Sequence, residues 1–362
     1  MRLRSEEMIL LAVLILVSLG TVMVYSASGI LSQLRQGDGF FYLKRQLLHL
    51  LLGMGTLLFS IKLNPRGWAK LAYPFMALSL TLLLLVLLPS VGVQKGVARR
   101  WLATPLFSFQ PSELAKLASV IFMAYILARK GERIRENPWK VAPLLMGVGG
   151  AVALILLEPD VGTALFLCLL VTMMLFLGGS RLSQLILVPV AISPALAVFL
   201  LRKGYVMERI EEFMGSLADP TRIGYQLEQS LIAFSRGGSF GVGLGAGKQK
   251  LFYLPAAHTD FILSIIGEEL GLVGVGLIIL LFALILICGF RIAMRTPDPF
   301  LRYLASGMTL MIVVQGVINM GVVLGLLPTK GIPLPFLSYG GTSFLINMAA
   351  AGVLVRVGRE GG

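Results

Sequence analysis

Six ionisable residues stand inside or at the edge of long apolar runs: Glu113, Lys116, Asp160, Asp260, Glu268 and Glu269. A charge at membrane depth is costly unless it faces protein or a wet cavity, so each needs a reason to be there. Glu113 and Lys116, three residues apart, share one helix face and read as a self-neutralising pair, with Asp160 as a third member shaping the same cavity. Asp260 ends the polar string Pro255-Ala256-Ala257-His258-Thr259-Asp260, which leads directly into an apolar helix. Residue chemistry leaves two readings open there: a helix cap supplied by Thr259 or Asp260, or a carboxylate acting as general base. An unbroken helix would put Glu268 and Glu269 about 12 Å beyond Asp260, pointing about 100° apart, where hydrogen bonding to neighbouring helices is the favoured role.

Cations suited to a phosphate occur in two places. Arg99-Arg100-Trp101 combines two charges with an aromatic ring, which serves either interfacial anchoring or pyrophosphate binding. The segment from Arg236 to Lys248 has Gly-x-Gly spacing but follows no strand, so a dinucleotide fingerprint is excluded. Its glycine content reads as a flexible outer loop. Glycine backbone nevertheless approaches phosphate closely, and Arg236, Lys248 and Lys250 supply charge.

The elements that must position these groups are membrane spans. Of 362 residues, 57% are hydrophobic and only 14% charged, against about 25% charged in soluble domains. The mean hydropathy is +0.87. Apolar runs long enough to cross a bilayer fall near 8–26, 46–61, 71–88, 113–128, 141–157, 161–178, 185–201, 261–289, 303–325 and 342–356, which predicts about ten transmembrane helices in an all-α polytopic fold. The first run reads as a retained span, not a cleaved signal. Sixteen Lys and Arg fall at the N-terminus and in the loops on its side, against seven in the short loops opposite; this orients both termini to the cytoplasm. The polar stretch of about 202–259, between spans seven and eight, then faces outward as a long ordered loop in a single domain covering 1–362. A net charge of +13 fits basic inner loops and anionic headgroups, not nucleic acid. Cys168 and Cys288 lie in apolar runs, and two histidines cannot build a metal cluster unaided.

With the spans in place, the motifs become recognisable. The chain resembles the SEDS family (shape, elongation, division and sporulation), and its division branch more than its elongation branch. The resemblance runs in order through Met23-Val24-Tyr25-Ser26-Ala27-Ser28, Ala98-Arg99-Arg100-Trp101, Gln110-Pro111-Ser112-Glu113-Leu114-Ala115-Lys116 and Pro159-Asp160-Val161-Gly162-Thr163. It continues through Tyr253 to Phe261, Gly267-Glu268-Glu269-Leu270-Gly271 and the proline-rich stretch ending in Ser338-Tyr339-Gly340-Gly341. Glu158, Val97 and Thr342 depart from it, standing where glutamine, asparagine and serine are common.

The resemblance implies a glycosyltransferase that polymerises lipid II on the outer face of the bacterial cytoplasmic membrane, with a class B penicillin-binding protein, other division membrane proteins and membrane lipids as partners. It moves Asp260 to the role of catalytic base. Arg99, Arg100, Arg236, Lys248 and Lys250 become pyrophosphate ligands, and Glu113, Lys116, Asp160, His258 and Thr259 line or shape the cavity. A divalent cation, magnesium or manganese, is a candidate cofactor without a visible ligand set; no organic cofactor is expected. Competing readings are an elongation polymerase, a lipid II flippase using the same carboxylates, and a non-catalytic scaffold.

Overall fold

The computed structural model describes residues 4–95, 98–103, 108–136, 142–181, 185–186, 190, 193, 211–215 and 223–360. Helices α1 (Ser5–Gln36), α2 (Phe41–Lys62) and α3 (Pro65–Leu87) cross the molecule in turn. Gly37, left-handed at φ 71°, closes α1. Asn64 caps α3 by accepting from the Arg66 amide, with Pro65 in the first turn. There follow α4 (Pro111–Glu136), α5 (Ala142–Leu157), α6 (Val161–Leu177), the short α7 (Tyr225–Gly237), α8 (Ile262–Arg295), α9 (Pro299–Val323) and α10 (Gly341–Glu360).

Nine of the expected spans therefore appear as helices among the described residues; most of the expected span 185–201 and of the stretch up to 222 lies outside them. Six of these helices are long and apolar enough to cross a membrane by length and composition. They form a polytopic membrane bundle. Its centre is α4, 89% of whose apolar window is buried, with α9 and α10 at 78% each. Close approach in the core rests on missing side chains: a Cβ at Gly53 of α2 would lie 2.4 Å from the Phe344 ring of α10.

Two features depart from uninterrupted helices. Between α3 and α4 lies a small antiparallel sheet, β1 (Gly92–Lys95), β2 (Ala98–Ala103) and β3 (Ser108–Phe109), in the order β1-β2-β3. Strands this short carry no hydropathy signal against the apolar background. The second is α8, which breaks at Gly271 (φ 65°, ψ −163°). Glu268 and Glu269 therefore end a short helix from Ile262 and do not lie partway down a continuous span; the membrane-length helix begins after the break.

One end of the bundle collects the α1–α2 turn, the sheet, the α5–α6 turn, the start of α8 and the proline-rich 324–340 segment. Arg100 reaches Glu158, Tyr42 reaches His258 and Asn319 reaches both Asp260 and Ile332 across these elements. We term it the site end.

Candidate active site

Asp260 sits half-buried at the site end. It does not cap α8, whose N-cap is Phe261 and has no side-chain cap bond, and Thr259 turns back to the Ala256 carbonyl at 3.1 Å. Its backbone is held by Asn319 of α9, whose amide nitrogen donates to the Asp260 carbonyl at 2.8 Å and to the Ile332 carbonyl at 2.7 Å. One amide thus ties the start of α8 to the proline-rich segment. A Cβ added at Gly331 would come within 3.1 Å of Asp260 Oδ2, so the carboxylate lies against that segment.

The proline-rich segment is irregular backbone enclosed by protein, the condition under which such backbone survives at membrane depth. Leu334, Phe336 and Leu337 are buried. Gln315 of α9 donates to the Pro333 carbonyl at 2.8 Å and accepts from Lys116 Nζ at 2.7 Å. Lys116 pairs with Glu113 at 2.9 Å. The buried pair on α4 is therefore as expected, but its third member is Gln315, not Asp160.

Asp160 has other work. It caps α6, accepting from the Thr163 amide at 3.2 Å and the Thr163 hydroxyl at 2.9 Å. Arg100 stands beside it at 3.7 Å, donating to the carbonyls of Glu158 (3.0 Å) and Pro159. Glu158 is buried with neither carboxyl oxygen hydrogen-bonded among the described residues. Burial first, and the neighbouring Asp160 charge second, push its pKa up to about 9 against the pull of Arg100. Glu158 is therefore a neutral acid near pH 7, electrostatically like a glutamine.

His258 packs between Tyr42 and Tyr339, with ring centroids at 4.8 and 5.8 Å, while its carbonyl accepts from the Tyr339 amide. Burial, aided by Arg35, lowers its pKa to about 4, so it is neutral at working pH. His258 itself stands two residues before Asp260.

The expected phosphate ligands divide. Arg99 and Arg100 lie on β2 at the α5–α6 turn. Arg236, Lys248 and Lys250 gather instead around the break in α8. Lys250 is buried, its ammonium 2.6 Å from Glu269 and 3.0 Å from Ser26 Oγ of α1. Its expected phosphate role is thereby corrected: the charge is consumed in a buried pair that anchors the loop. Arg236 lies 4.0 Å from Glu268. The Lys248 side chain is exposed, while its backbone amide donates to Glu268 at 2.8 Å.

The glycine-rich segment is likewise ordered, not flexible. Breaking α8 at Gly271 strands backbone groups on both sides. The amides of Val242 and Gly243 donate to the carbonyls of Glu268 and Glu269, and the amides of Leu272 and Val273 donate to the carbonyls of Gly238 and Ser239. Gly245 N adds a bond to Glu269 at 2.9 Å. A Cβ at Gly271 would meet Gly241 N at 2.3 Å, so both chains must be bare to pair here. Glu268 and Glu269 are hydrogen-bonded as expected, with the loop as their main partner.

Among the described residues, no three His, Cys, Asp or Glu side chains are grouped to hold a metal.

Sequence reasoning missed Gln315, Asn319 and Lys330. The first two carried a signal: polar amides four residues apart on one face of an otherwise apolar run.

A helical bundle with six helices long and apolar enough to cross a membrane, carrying a half-buried carboxylate at one end, is that of a polytopic membrane protein. The chain is a member of the FtsW/RodA/SpoVE cell cycle protein family, whose model matches residues 6–361. It is 42% identical over 354 residues to a protein of Geobacter metallireducens named probable peptidoglycan glycosyltransferase FtsW, covering 98% of this chain and 94% of that one. Stage V sporulation protein E of Bacillus subtilis is 38% identical over 356 residues, covering 98% and 97%. Among solved structures, the rod shape determining protein RodA of Thermus thermophilus superposes with a TM-score of 0.72 at 30% identity, covering 97% and 96%. A chain of a peptidoglycan synthase complex, described as coordinating polymerization and crosslinking, gives 0.75 at 30%, covering 98% and 97%. The expected fold, membrane character and class of peptidoglycan glycosyltransferase agree with these relatives.

Proposed function

We propose that the chain polymerises lipid II on the outer face of the cytoplasmic membrane, with the site end facing outward and Asp260 as base. The carrying observation is the placement of Asp260: half-buried, relieved of any capping duty, and held by Asn319 against Gly331 at the site end. In the reaction, Asp260 takes the proton from the attacking sugar hydroxyl as that oxygen bonds to the anomeric carbon of the donor. The bond from that carbon to the phosphate oxygen breaks, and its electron pair leaves with undecaprenyl pyrophosphate. An α-linked donor and a β-linked product require one inverting displacement, so a single carboxylate suffices. Arg99, on the β2 strand, and Arg236 and Lys248, beside the break in α8, are proposed as cations for the pyrophosphate. Glu113 with Lys116, Asp160, His258 and Thr259 shape the site. A magnesium or manganese ion would have to arrive on the substrate's phosphates, and no step here is routed through one.

A septal role is supported by the FtsW-named relatives at 41–44% identity, against 30% for the RodA structure. The elongation role is the alternative. A class B penicillin-binding protein is the proposed partner, supported by the likeness to a chain of the synthase complex. The test is purified protein with that partner and lipid II. Glycan chains lengthening in detergent are expected; labelled lipid II crossing liposomes without lengthening would establish the flippase instead.

A further inference from the structure

Lys330 is the site-end cation that sequence reasoning counted only as a loop charge. Its ammonium makes no hydrogen bond or ion pair with any described residue, although the side chain is half-buried. The next residue, Gly331, abuts the Asp260 carboxylate. On its other side the Lys330 stem packs against Gly162 at the start of α6, where a Cβ would lie 3.6 Å from it. Burial draws the Lys330 pKa down while the nearby Asp160 charge pulls it back up. A second anion is therefore electrostatically welcome at that ammonium.

Lys330 also heads an apolar groove of about 190 Å³ between α6 and α9. Leu165, Phe166 and Leu169 form one wall, and Ile318 and Val322 the other. From Gly162 to Leu169 the α6 wall descends about 10 Å, at roughly 1.5 Å per residue. Leu165 and Leu169 are 37% and 41% exposed, so the groove opens sideways toward the surrounding membrane. An unpaired ammonium over a laterally open apolar slot is complementary to one kind of ligand: an anionic head on a long hydrocarbon tail.

We infer that the α6–α9 groove seats the first isoprene units of a polyprenyl pyrophosphate, with Lys330 binding its phosphate beside Asp260. This rests on the proposed polymerase reading and deepens it by assigning a phosphate ligand and a tail path. Bulk phospholipid is the competing occupant. The contact of the next residue, Gly331, with the Asp260 carboxylate favours the substrate, because the reacting carbon is linked directly to the pyrophosphate.

The test measures binding of undecaprenyl pyrophosphate to the full chain in detergent by microscale thermophoresis. Undecaprenol, inorganic pyrophosphate and phosphatidylglycerol serve as comparison probes. Losing one charge-assisted hydrogen bond should weaken undecaprenyl pyrophosphate binding about tenfold or more in Lys330→Met, leaving undecaprenol unchanged. Leu165→Trp should weaken both prenyl probes and leave inorganic pyrophosphate unchanged. Wild-type affinity in both variants would overturn the inference, as would equal competition by phosphatidylglycerol. The two variants act on different parts of the ligand, so if one fails to fold, its melting curve shows it and the other decides. Variant-sensitive binding without any polymerisation by the wild type would sink the polymerase reading and leave the groove standing. Polymerisation and binding unaltered in both variants would do the reverse.

Discussion

Replacing Lys250 with methionine removes the only cation within hydrogen-bonding distance of Glu269 among the described residues. Glu269 is fully buried and accepts from Ser26 Oγ at 2.7 Å, Gly245 N at 2.9 Å and Lys250 Nζ at 2.6 Å. After the change, a buried carboxylate keeps only neutral donors, a loss of about 3–5 kcal/mol. Glu269→Gln strands the Lys250 ammonium and costs a similar amount. The double variant removes both charges at nearly constant volume, and such replacements are often close to neutral. The two single costs sum to about 6–10 kcal/mol while the double stays close to neutral, so the shortfall from additivity should be at least about 3 kcal/mol, well above the roughly 0.5 kcal/mol seen for independent sites. Equilibrium unfolding of the four proteins by titrating SDS into mild-detergent micelles measures the cycle, and protease cleavage between Gly238 and Gly247 reports whether the loop has come loose. Additive costs with an uncut loop would refute the idea that this pair pins the loop to the break in α8.

Glu158→Gln should stabilise the protein at alkaline pH and leave it unchanged near pH 4.5. Below its unfolded-state pKa of 4.5 the acid is protonated in both states. Between there and about 9 only the folded state keeps the proton, so wild-type stability falls by about 1.4 kcal/mol per pH unit while the glutamine variant is spared. Melting temperatures of the two proteins at pH 5 and pH 8 check this; an equal offset at both would contradict it. Gly271→Ala should lower stability by more than the roughly 1–3 kcal/mol of a side chain forced to this glycine-only backbone conformation, because its methyl also collides with Gly241 N. Faster hydrogen exchange at Val242 and Gly243 is the expected signature, and unchanged exchange would exclude the paired-loop geometry.

The spans and the candidate carboxylate Asp260 are legible in sequence because hydropathy and intramembrane charge are local signals. Asp260 is ambiguous in sequence between cap and base, and in the structure the N-cap position of α8 is Phe261, with the helix beginning at Ile262. The glycine-rich segment was misread because composition reports backbone freedom, not pairing. Its partners Glu268 and Glu269 lie some twenty residues on, just before a helix break that a single glycine conceals. For the same reason Lys250 looked like a phosphate ligand: nothing local distinguishes a free lysine from one that will meet a buried carboxylate. Asp160 was matched to Lys116 by charge alone, whereas Gln315, a neutral residue from a distant helix, takes that place. Lys330 passed unnoticed because its importance comes from the groove beneath it, which exists only once α6 and α9 are packed.

Single-turnover polymerisation of lipid II by Asp260→Asn, with its partner present, tests the chemistry most directly. Asparagine keeps the size and the Asn319 backbone bond but cannot take a proton. The rate should fall by about 10²–10⁴ while lipid II still binds. Glycan strands formed at the wild-type rate would show that the proton leaves by another route.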